Sequence, residues 1–476
     1  MFPFRQCHND WWLNNICWLS DSYKYTQYLQ YPKDTRSVHS YFESRLGAMF
    51  PQTTFFGLQY LLKEYLVGPV VTKEKIDEAE YLFQRHFGNR IFNRAGWENI
   101  VNKYGGHLPI RVRAVAEGRS VDTSNVLMTI ENTDADSDMP SYWLTNYLET
   151  LLVQTWYPCT VATQSREMKK VLLTYLQFNG DPAGIDFKLH DFGFRGVTCP
   201  EQAAIGGGSH LINFKGTDTP PGLLMALRFY NAHPDNEFPG FSIPASEHST
   251  ITSWGREHEV DAMRNMLEQF PSGLMACVSD SFDIFNACAN LWGTELKEKV
   301  LARDGVLVVR PDSGDPPVVV CKVLDILGEK FGFTTNDKGY KVLHPKVRVI
   351  QGDGIDYQML GTILSAMSSN GWSADNLAFG SGGGLLQKLN RDTQRFAFKC
   401  SSIAVGNEVR DVYKQPITGG DKSSKRGRFK LVNDNGQWIT APENDPRQDQ
   451  LVTVFENGHL LKDYNWAEVC ANAVLS

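Results

Sequence analysis

Asn376-Leu-Ala-Phe-Gly-Ser-Gly-Gly-Gly-Leu-Leu-Gln-Lys-Leu-Asn-Arg391 joins a short apolar run to a helical pattern through Gly380, Gly382, Gly383 and Gly384. Residues without side chains let the backbone approach an anion closely, and the unpaired N–H groups of a helix starting near Leu385 would point at it with the positive end of the helix dipole. The stretch reads as a phosphate seat at the end of a strand, with a plain tight turn as the competing reading. Its neighbours decide between the two.

From Cys159 onward, apolar strand-like runs recur with helical patterns between most of them, the βα-repeat signature. The expected strands are Phe187 to Phe192, His210 to Phe214, Phe241 to Ile243, Leu274 to Asp280, Val306 to Arg310, Val347 to Gly352 and Leu377 to Ser381. They run out into Asp191-Phe-Gly-Phe-Arg195, Lys215-Gly-Thr-Asp218, Pro244-Ala-Ser-Glu-His248, Asp280-Ser-Phe-Asp283, Arg310-Pro-Asp-Ser-Gly314, Gly352-Asp-Gly-Ile-Asp356 and the glycine seat. One Asp after a strand is an ordinary helix cap. Asp, Arg, His and Gly recurring at strand after strand mark the face where a βα barrel or doubly wound sheet assembles its site.

The flanks differ. Helical patterns are expected over Thr54 to Val67, Lys73 to Phe87 and Tyr142 to Trp156, and strands over His107 to Glu117 and Val126 to Ile130. After Arg391 come alternating segments with two hairpin signals, Asn435-Gly436 and Asn457-Gly458, and a basic loop, Lys414 to Arg428. The expected class is therefore α/β: a βα barrel over 159–399, and a discontinuous mixed α+β lobe over 1–158 with 400–476.

With 476 residues, 42% hydrophobic and 21% charged, the chain has the composition of a soluble globular protein, and a net charge of −7 argues against a general nucleic-acid binder. Nine cysteines without a Cys-x-x-Cys spacing indicate neither a zinc site nor a disulfide framework. No apolar run approaches the ~18 residues of a membrane span, and the N-terminal stretch has no apolar signal core, so a cytoplasmic protein is expected.

Arg195, Arg310, Arg391 and Lys399 join the glycine seat as phosphate acceptors, and several arginines imply more than one phosphate. Asp280, Asp312, Asp353 and Asp356 suit Mg2+, directly or through water, or ribose hydroxyls. Together they describe a multiply phosphorylated sugar bound with magnesium.

The motifs Asp21-Ser-Tyr-Lys24, Lys188-Leu-His-Asp-Phe-Gly-Phe-Arg-Gly196, Asn213-Phe-Lys-Gly-Thr-Asp218, Ser246-Glu-His-Ser-Thr-Ile251, Val278-Ser-Asp-Ser-Phe-Asp283, Arg310-Pro-Asp-Ser-Gly314, Gln351-Gly-Asp-Gly354 and Phe379-Gly-Ser-Gly-Gly-Gly-Leu-Leu-Gln-Lys-Leu389 resemble, in order, those of the nicotinamide phosphoribosyltransferases. The resemblance runs from about Leu19 to about Tyr464. It implies the irregular βα barrel of a type II phosphoribosyltransferase, a homodimer with active sites at the subunit interface, and synthesis of nicotinamide mononucleotide from nicotinamide and phosphoribosyl pyrophosphate. By the same resemblance Phe192 and the partner's Tyr23 sandwich the pyridine ring, while Asp218 and Arg310 address its amide. Arg195, Asp280, Asp312 and Asp353 fall around pyrophosphate, ribose and Mg2+, with Asp280, Asp312 and Asp353 as the metal set, and Asp21 and Gly354 also count among the substrate-binding residues. Gly382, Gly383, Arg391 and Lys399 hold the 5′-phosphate, the last two from the partner.

His248 matches the family's histidine that ATP phosphorylates, and Arg45, Lys414 and Lys422 resemble positions that steady ATP. The expected catalytic set is His248, Asp280, Arg310 and Asp312. A carboxylate at Asp218 accepts an amide N–H but opposes a nicotinate carboxylate by up to roughly 4 kcal/mol at about 4 Å and an effective dielectric of about 20. Five features depart from the family pattern: Ala397 stands where a Ser is usual, Ser246 where an Ala is usual, the tract 46–52 is shorter, 134–139 is longer, and residues 1–18 have no matching motif. Competing readings are a nicotinate phosphoribosyltransferase, an aldolase or isomerase using Lys188 or Lys215, and a non-catalytic nucleotide sensor.

Overall fold

The computed structural model describes residues 13–89, 91–415, 417 and 424–475. The chain divides into two compact units, one of 1–163, 228–231 and 390–473, the other chiefly of 164–227 and 232–389. Arg391 and Lys399 thus belong to the first unit.

The second unit is built on six parallel strands: β1 Leu189–Asp191, β2 Gly216–Thr217, β3 Ser272–Val278, β4 Asp304–Arg310, β5 Val347–Gln351 and β6 Leu377–Ser381. Their order is β2-β1-β6-β5-β4-β3, with every pair parallel. Between the edges β2 and β3 runs the extended segment 241–246. Phe241 bridges Gly216, and Ala245 bridges Ala276, both parallel, so this short stretch pairs with both edges of the curled sheet and closes it. Ala276, Val308 and Ile350 are buried together, with Phe192, Ile243 and Ala378 packed against them. Inward-facing residues of successive strands thus fill the ring, as in a packed barrel interior.

Helices return the chain between strands. Pro316–Phe331 starts on two prolines, buries Val319, Val320, Val323, Leu324, Leu327 and Phe331 along one face, and stops before Gly332 at φ 87°. Tyr357–Ser369 is capped by the Asp356 carboxylate, which accepts the Met359 N–H at 2.9 Å.

Three expectations need correction. His210 to Phe214 is not a strand, because the helix Pro200–Leu211 runs through the Gly206-Gly207-Gly208 triplet and ends there. Those glycines are packing devices: a Cβ on Gly207 would stand 3.0 Å from Gly222 Cα. The apolar stretch Tyr142 to Trp156 breaks into the short turns Leu144–Tyr147, Glu149–Leu152 and Val153–Thr155, and the long helix is Trp156–Asn179. Likewise Thr54 to Val67 enters through Gly57 at φ 94° into the short helical turns Leu58–Leu61 and Leu62–Leu66.

The first unit contains a seven-stranded sheet in which Thr35–Ser44 pairs antiparallel with Phe396–Val405 on one side and Val126–Asn132 on the other. Strands far apart in sequence therefore interleave in one sheet. Asn435-Gly436 and Asn457-Gly458 both have positive φ at each residue, the mirror-image turn that matches strand twist. Among the described residues no helix is long and apolar enough to cross a membrane.

Candidate active site

Each functional side chain of the second unit sits just past the C-terminal end of a strand, on one face of the sheet. Asp191 ends β1, and the chain turns at once: Phe192 N–H donates to Ser381 O at 2.9 Å and Gly193 N–H to Asp191 Oδ1 at 2.7 Å. The turn lays the Phe192 ring over Gly380, where a Cβ would come within 2.0 Å of the ring. Arg310, the last residue of β4, holds its guanidinium 5.5 Å from the centroid of that ring and donates to Asp312 Oδ1 from Nε and Nη2 at 3.1 and 2.8 Å. Gly352, just after β5, abuts both side chains. The result is a half-buried aromatic floor with a cation beside it.

Asp218 follows β2, and its N–H donates to Asp191 O at 2.9 Å. Its Oδ1 accepts the Ser242 hydroxyl at 2.5 Å, which leaves Oδ2 as an acceptor facing solvent. Ser242 lies on the closing segment and was not singled out in the sequence, since a Ser in Phe-Ser-Ile carries no motif of its own. Asp191 is fully buried. Burial first, and then the charge of Asp218, raise its carboxyl from 3.8 to about 6 against the pull of Gly193 N–H and Thr219.

Asp280, whose side chain is 4% exposed, lies past the end of β3 and has both oxygens engaged: Oδ1 with His248 Nε2 at 2.8 Å and Oδ2 with the Ser313 hydroxyl at 2.5 Å. His248 opens a short helix behind Glu247 and Thr250, which form a capping box, and its ring is 47% exposed. Donation from Nε2–H to a carboxylate leaves Nδ1 as the lone-pair nitrogen. Ser246, two residues before His248, makes no side-chain bond to it. The Ser246 hydroxyl instead accepts the Val278 N–H at 2.9 Å, fastening the closing segment to β3.

The glycine seat is tighter than the sequence suggests. Its helix is the single turn Gly383–Leu386 behind Gly382, so the donors on offer are the first N–H groups of one turn rather than those of a long dipole. Gly384 packs on backbone, with a Cβ there 2.4 Å from Ile355 O, and Gly196 of the Arg195 turn lies against Gly383. Gly354 adopts φ 68° beside the exposed Asp353.

As a test of the expected metal set, Asp312 keeps Oδ2 outside its Arg310 bonds and Asp353 is open, whereas both Asp280 oxygens already accept one bond. Among the described residues no three His, Cys, Asp or Glu converge as a ready-made cage. That arrangement fits Mg2+, which keeps several waters and takes one or two carboxylates together with substrate phosphates.

In the first unit, Lys24 donates to Glu149 Oε2 at 2.7 Å. Burial first, and then the charges of Arg45, Arg391 and Lys24 against that of Glu149, pull the Lys399 amine below its ordinary value. Four cations therefore share one patch with Glu149. Lys24 is the member the sequence did not single out, although it lies in a quoted motif. Tyr23 is 62% exposed, and the neighbouring Asp21 accepts the Thr150 hydroxyl at 2.8 Å. Arg45 donates to Arg395 O at 3.3 Å, and the Lys414 backbone pairs with Ser424. Lys422 lies outside the described residues.

Neither lysine wanted by an aldolase reading is free at the strand ends. Lys188 is half-buried and donates to the carbonyls of Ala374, Asp375 and Leu377 at 3.0 to 3.1 Å, with desolvation of the amine lowering it to about 8. Lys215 lies beside Asp186, 3.8 Å away.

Residues 187–459 match the description of the nicotinate phosphoribosyltransferase (NAPRTase) family, and residues 15–112 that of the nicotinamide phosphoribosyltransferase N-terminal domain. The chain is 51% identical over 474 residues to the nicotinamide phosphoribosyltransferase of Xanthomonas campestris pv. campestris, covering 97% of this chain and 98% of the relative. It is 31% identical over 479 residues to that of Acinetobacter baylyi, covering 92% and 93%. In fold it is similar to a nicotinate-nucleotide pyrophosphorylase from Pyrococcus furiosus, with TM-score 0.60, 14% identity and coverage of 98% and 97%. Human nicotinic acid phosphoribosyltransferase gives TM-score 0.53, 15% identity and coverage of 95% and 92%.

Proposed function

The chain belongs to the nicotinamide phosphoribosyltransferase family, and from that membership we propose how its residues divide the work of joining nicotinamide to phosphoribosyl pyrophosphate, giving nicotinamide mononucleotide and pyrophosphate. The observation that carries the choice of base is Asp218, an acceptor with its Oδ1 taken by Ser242 and its Oδ2 open. An amide N–H satisfies that oxygen, and a carboxylate is repelled by it. Phe192 supplies a stacking surface for a ring that becomes cationic on alkylation, and Arg310 serves the amide oxygen.

Departure of pyrophosphate leaves oxocarbenium-like charge on the ribose, so the protein's task is to aim the ring nitrogen at C1 and stabilise the leaving anion. Arg195 takes the pyrophosphate and the Gly382-Gly383 backbone the 5′-phosphate. Asp312 and Asp353, with Asp280 through water, would hold Mg2+, which when bound neutralises the developing pyrophosphate charge. Tyr23, Arg391 and Lys399 serve the site of a partner subunit in a homodimer; the exposed tyrosine and the cation patch around Lys399 support this. A cytoplasmic location suits a chain that draws on nicotinamide, phosphoribosyl pyrophosphate and ATP.

His248 accepts the γ-phosphoryl group of ATP on its lone-pair nitrogen, with Asp280 steadying the imidazolium that results. Arg45, Lys414 and Lys422 steady the nucleotide. His248→Ala is expected to abolish ATP stimulation while uncoupled synthesis persists; unchanged stimulation would remove the phosphohistidine. For the base, initial rates with nicotinamide and nicotinate test the reading directly. Asp218→Asn is expected to lower the nicotinamide-to-nicotinate ratio of kcat/KM by about 100-fold, part of the Coulomb term of roughly 4 kcal/mol. An unaltered ratio counts against Asp218 as the reader of the amide.

A further inference from the structure

Asp191 is the best-connected residue of the site and touches none of the substrate positions assigned above. It is fully buried, and its Oδ1, its main-chain carbonyl and the N–H that follows it each tie down a different part of the pocket. Oδ1 accepts the N–H of Gly193 two residues on, an Asx-turn that sets where Phe192 projects. Its main-chain carbonyl accepts the Asp218 N–H at 2.9 Å. The next N–H along, that of Phe192, reaches Ser381 O in the strand that feeds the glycine seat. Gly193 leaves no slack in this turn, because a Cβ there would stand 2.6 Å from Leu386 and 3.0 Å from Asp191 Oδ1.

Its second oxygen, Oδ2, makes no well-formed hydrogen bond among the described residues, and the Thr219 hydroxyl beside the carboxylate pulls on it only weakly against its burial. A buried carboxylate oxygen left without a bond is costly, and a neighbouring Asp218 adds repulsion. A fold serving only its own stability would place an apolar or neutral side chain here. What the charged oxygen does in return is hold the turn, since a carboxylate binds a backbone N–H about twice as strongly as a neutral acceptor, although the net cost to stability remains.

We infer that Asp191 is a positioning residue for the pyridine base: its side chain fixes the aromatic floor at Phe192 while its backbone fixes the amide reader Asp218, so that floor and reader are held in one register. The inference rests on the base-site reading above. It assigns Asp191 no contact with substrate; it acts through Phe192 and Asp218.

The experiment is a side-chain series at Asp191 in the full-length enzyme, with KM measured separately for nicotinamide and phosphoribosyl pyrophosphate, and thermal unfolding run in parallel. Asn offers Gly193 an acceptor oxygen in the same place, Ser makes a weaker turn of the same kind, and Ala makes none. KM for nicotinamide is expected to rise in the order Asn, Ser, Ala, reaching about tenfold at Asp191→Ala, as for loss of one charge-assisted bond. KM for phosphoribosyl pyrophosphate is expected to stay within about twofold throughout. Should Asp191→Ala not fold, the Asn and Ser variants carry the order. Equal rises for both substrates, a loss confined to kcat and the folded fraction, or no ordered rise for nicotinamide overturns the inference. Phe192→Ala and Asp218→Ala separate the two claims. If these raise the nicotinamide KM and the Asp191 series does not, only Asp191 loses its role; if they too leave it unchanged, the base-site reading itself has failed.

Discussion

At Asp191 the demands of folding and of the site oppose each other. Its carboxyl is raised from 3.8 to about 6, so between those values the folded chain holds a proton that the unfolded chain has lost. Stability therefore falls as pH rises through that window, and above about 6 the whole penalty is present, on the order of 3 kcal/mol for a shift of about two units. Asp191→Asn is expected to unfold at a higher temperature than the wild type at pH 7.5 and to match it below about pH 4. Thermal scans at the two pH values check this, and a lower unfolding temperature at pH 7.5 would show the charge to be paired in solution. Residues differ in how much the sequence says about them. Phe192, Asp218, Arg310 and Asp312 are legible because each stands just past a strand end with the chemistry its role requires. Asp191 and Ser242 are not, because a buried Asx-turn acceptor and a hydroxyl borrowed from the closing segment exist only once β1, β2 and residues 241–246 are side by side.

Among elements, the turns after β1 and β6 depend on each other. Gly380 underlies the Phe192 ring and Gly384 lies on Ile355 O, so a methyl group at either has nowhere to go, as close-packed interiors tolerate no added carbon without movement. Gly380→Ala is expected to raise KM for nicotinamide, and Gly384→Ala to raise KM for phosphoribosyl pyrophosphate, each by about tenfold or more, since tenfold is about 1.4 kcal/mol and overpacking typically costs about 1 to 3 kcal/mol. Steady-state kinetics on both substrates distinguish them, and the reverse pairing would contradict the site. The longer strands are recognisable because they are continuous apolar runs, buried on both faces as parallel strands are. His210 to Phe214 is apolar enough to resemble a strand, yet the helix Pro200–Leu211 runs into it and approaches Gly222 through Gly207. The strand expected over Phe241 to Ile243 is realised only as part of the closing segment, which pairs through two bridges.

For the whole molecule, the proposed homodimer draws Phe192 and Asp218 from one subunit and Arg391 and Lys399 from the other. Asp218→Ala and Arg391→Ala, each inactive alone, are expected to recover roughly a quarter of wild-type activity when unfolded and refolded together, since random assortment under twofold symmetry makes half the dimers mixed and each mixed dimer has one intact site. Absence of recovery despite demonstrated mixed dimers argues for sites built within one chain. That the first unit is assembled from both ends of the chain follows from the pairing of Thr35–Ser44 with Phe396–Val405, which no local pattern specifies. The segment 241–246 has one more consequence. Ser242, which orients the amide reader, lies on it, and His248, the proposed phosphate acceptor, opens the helix that follows it two residues on; besides its two bridges the segment is tied down by the Ser242–Asp218 and Val278–Ser246 bonds. One short run of chain thus leads from the orienter of the base reader to the phosphate acceptor, so a substitution that alters its path should disturb both.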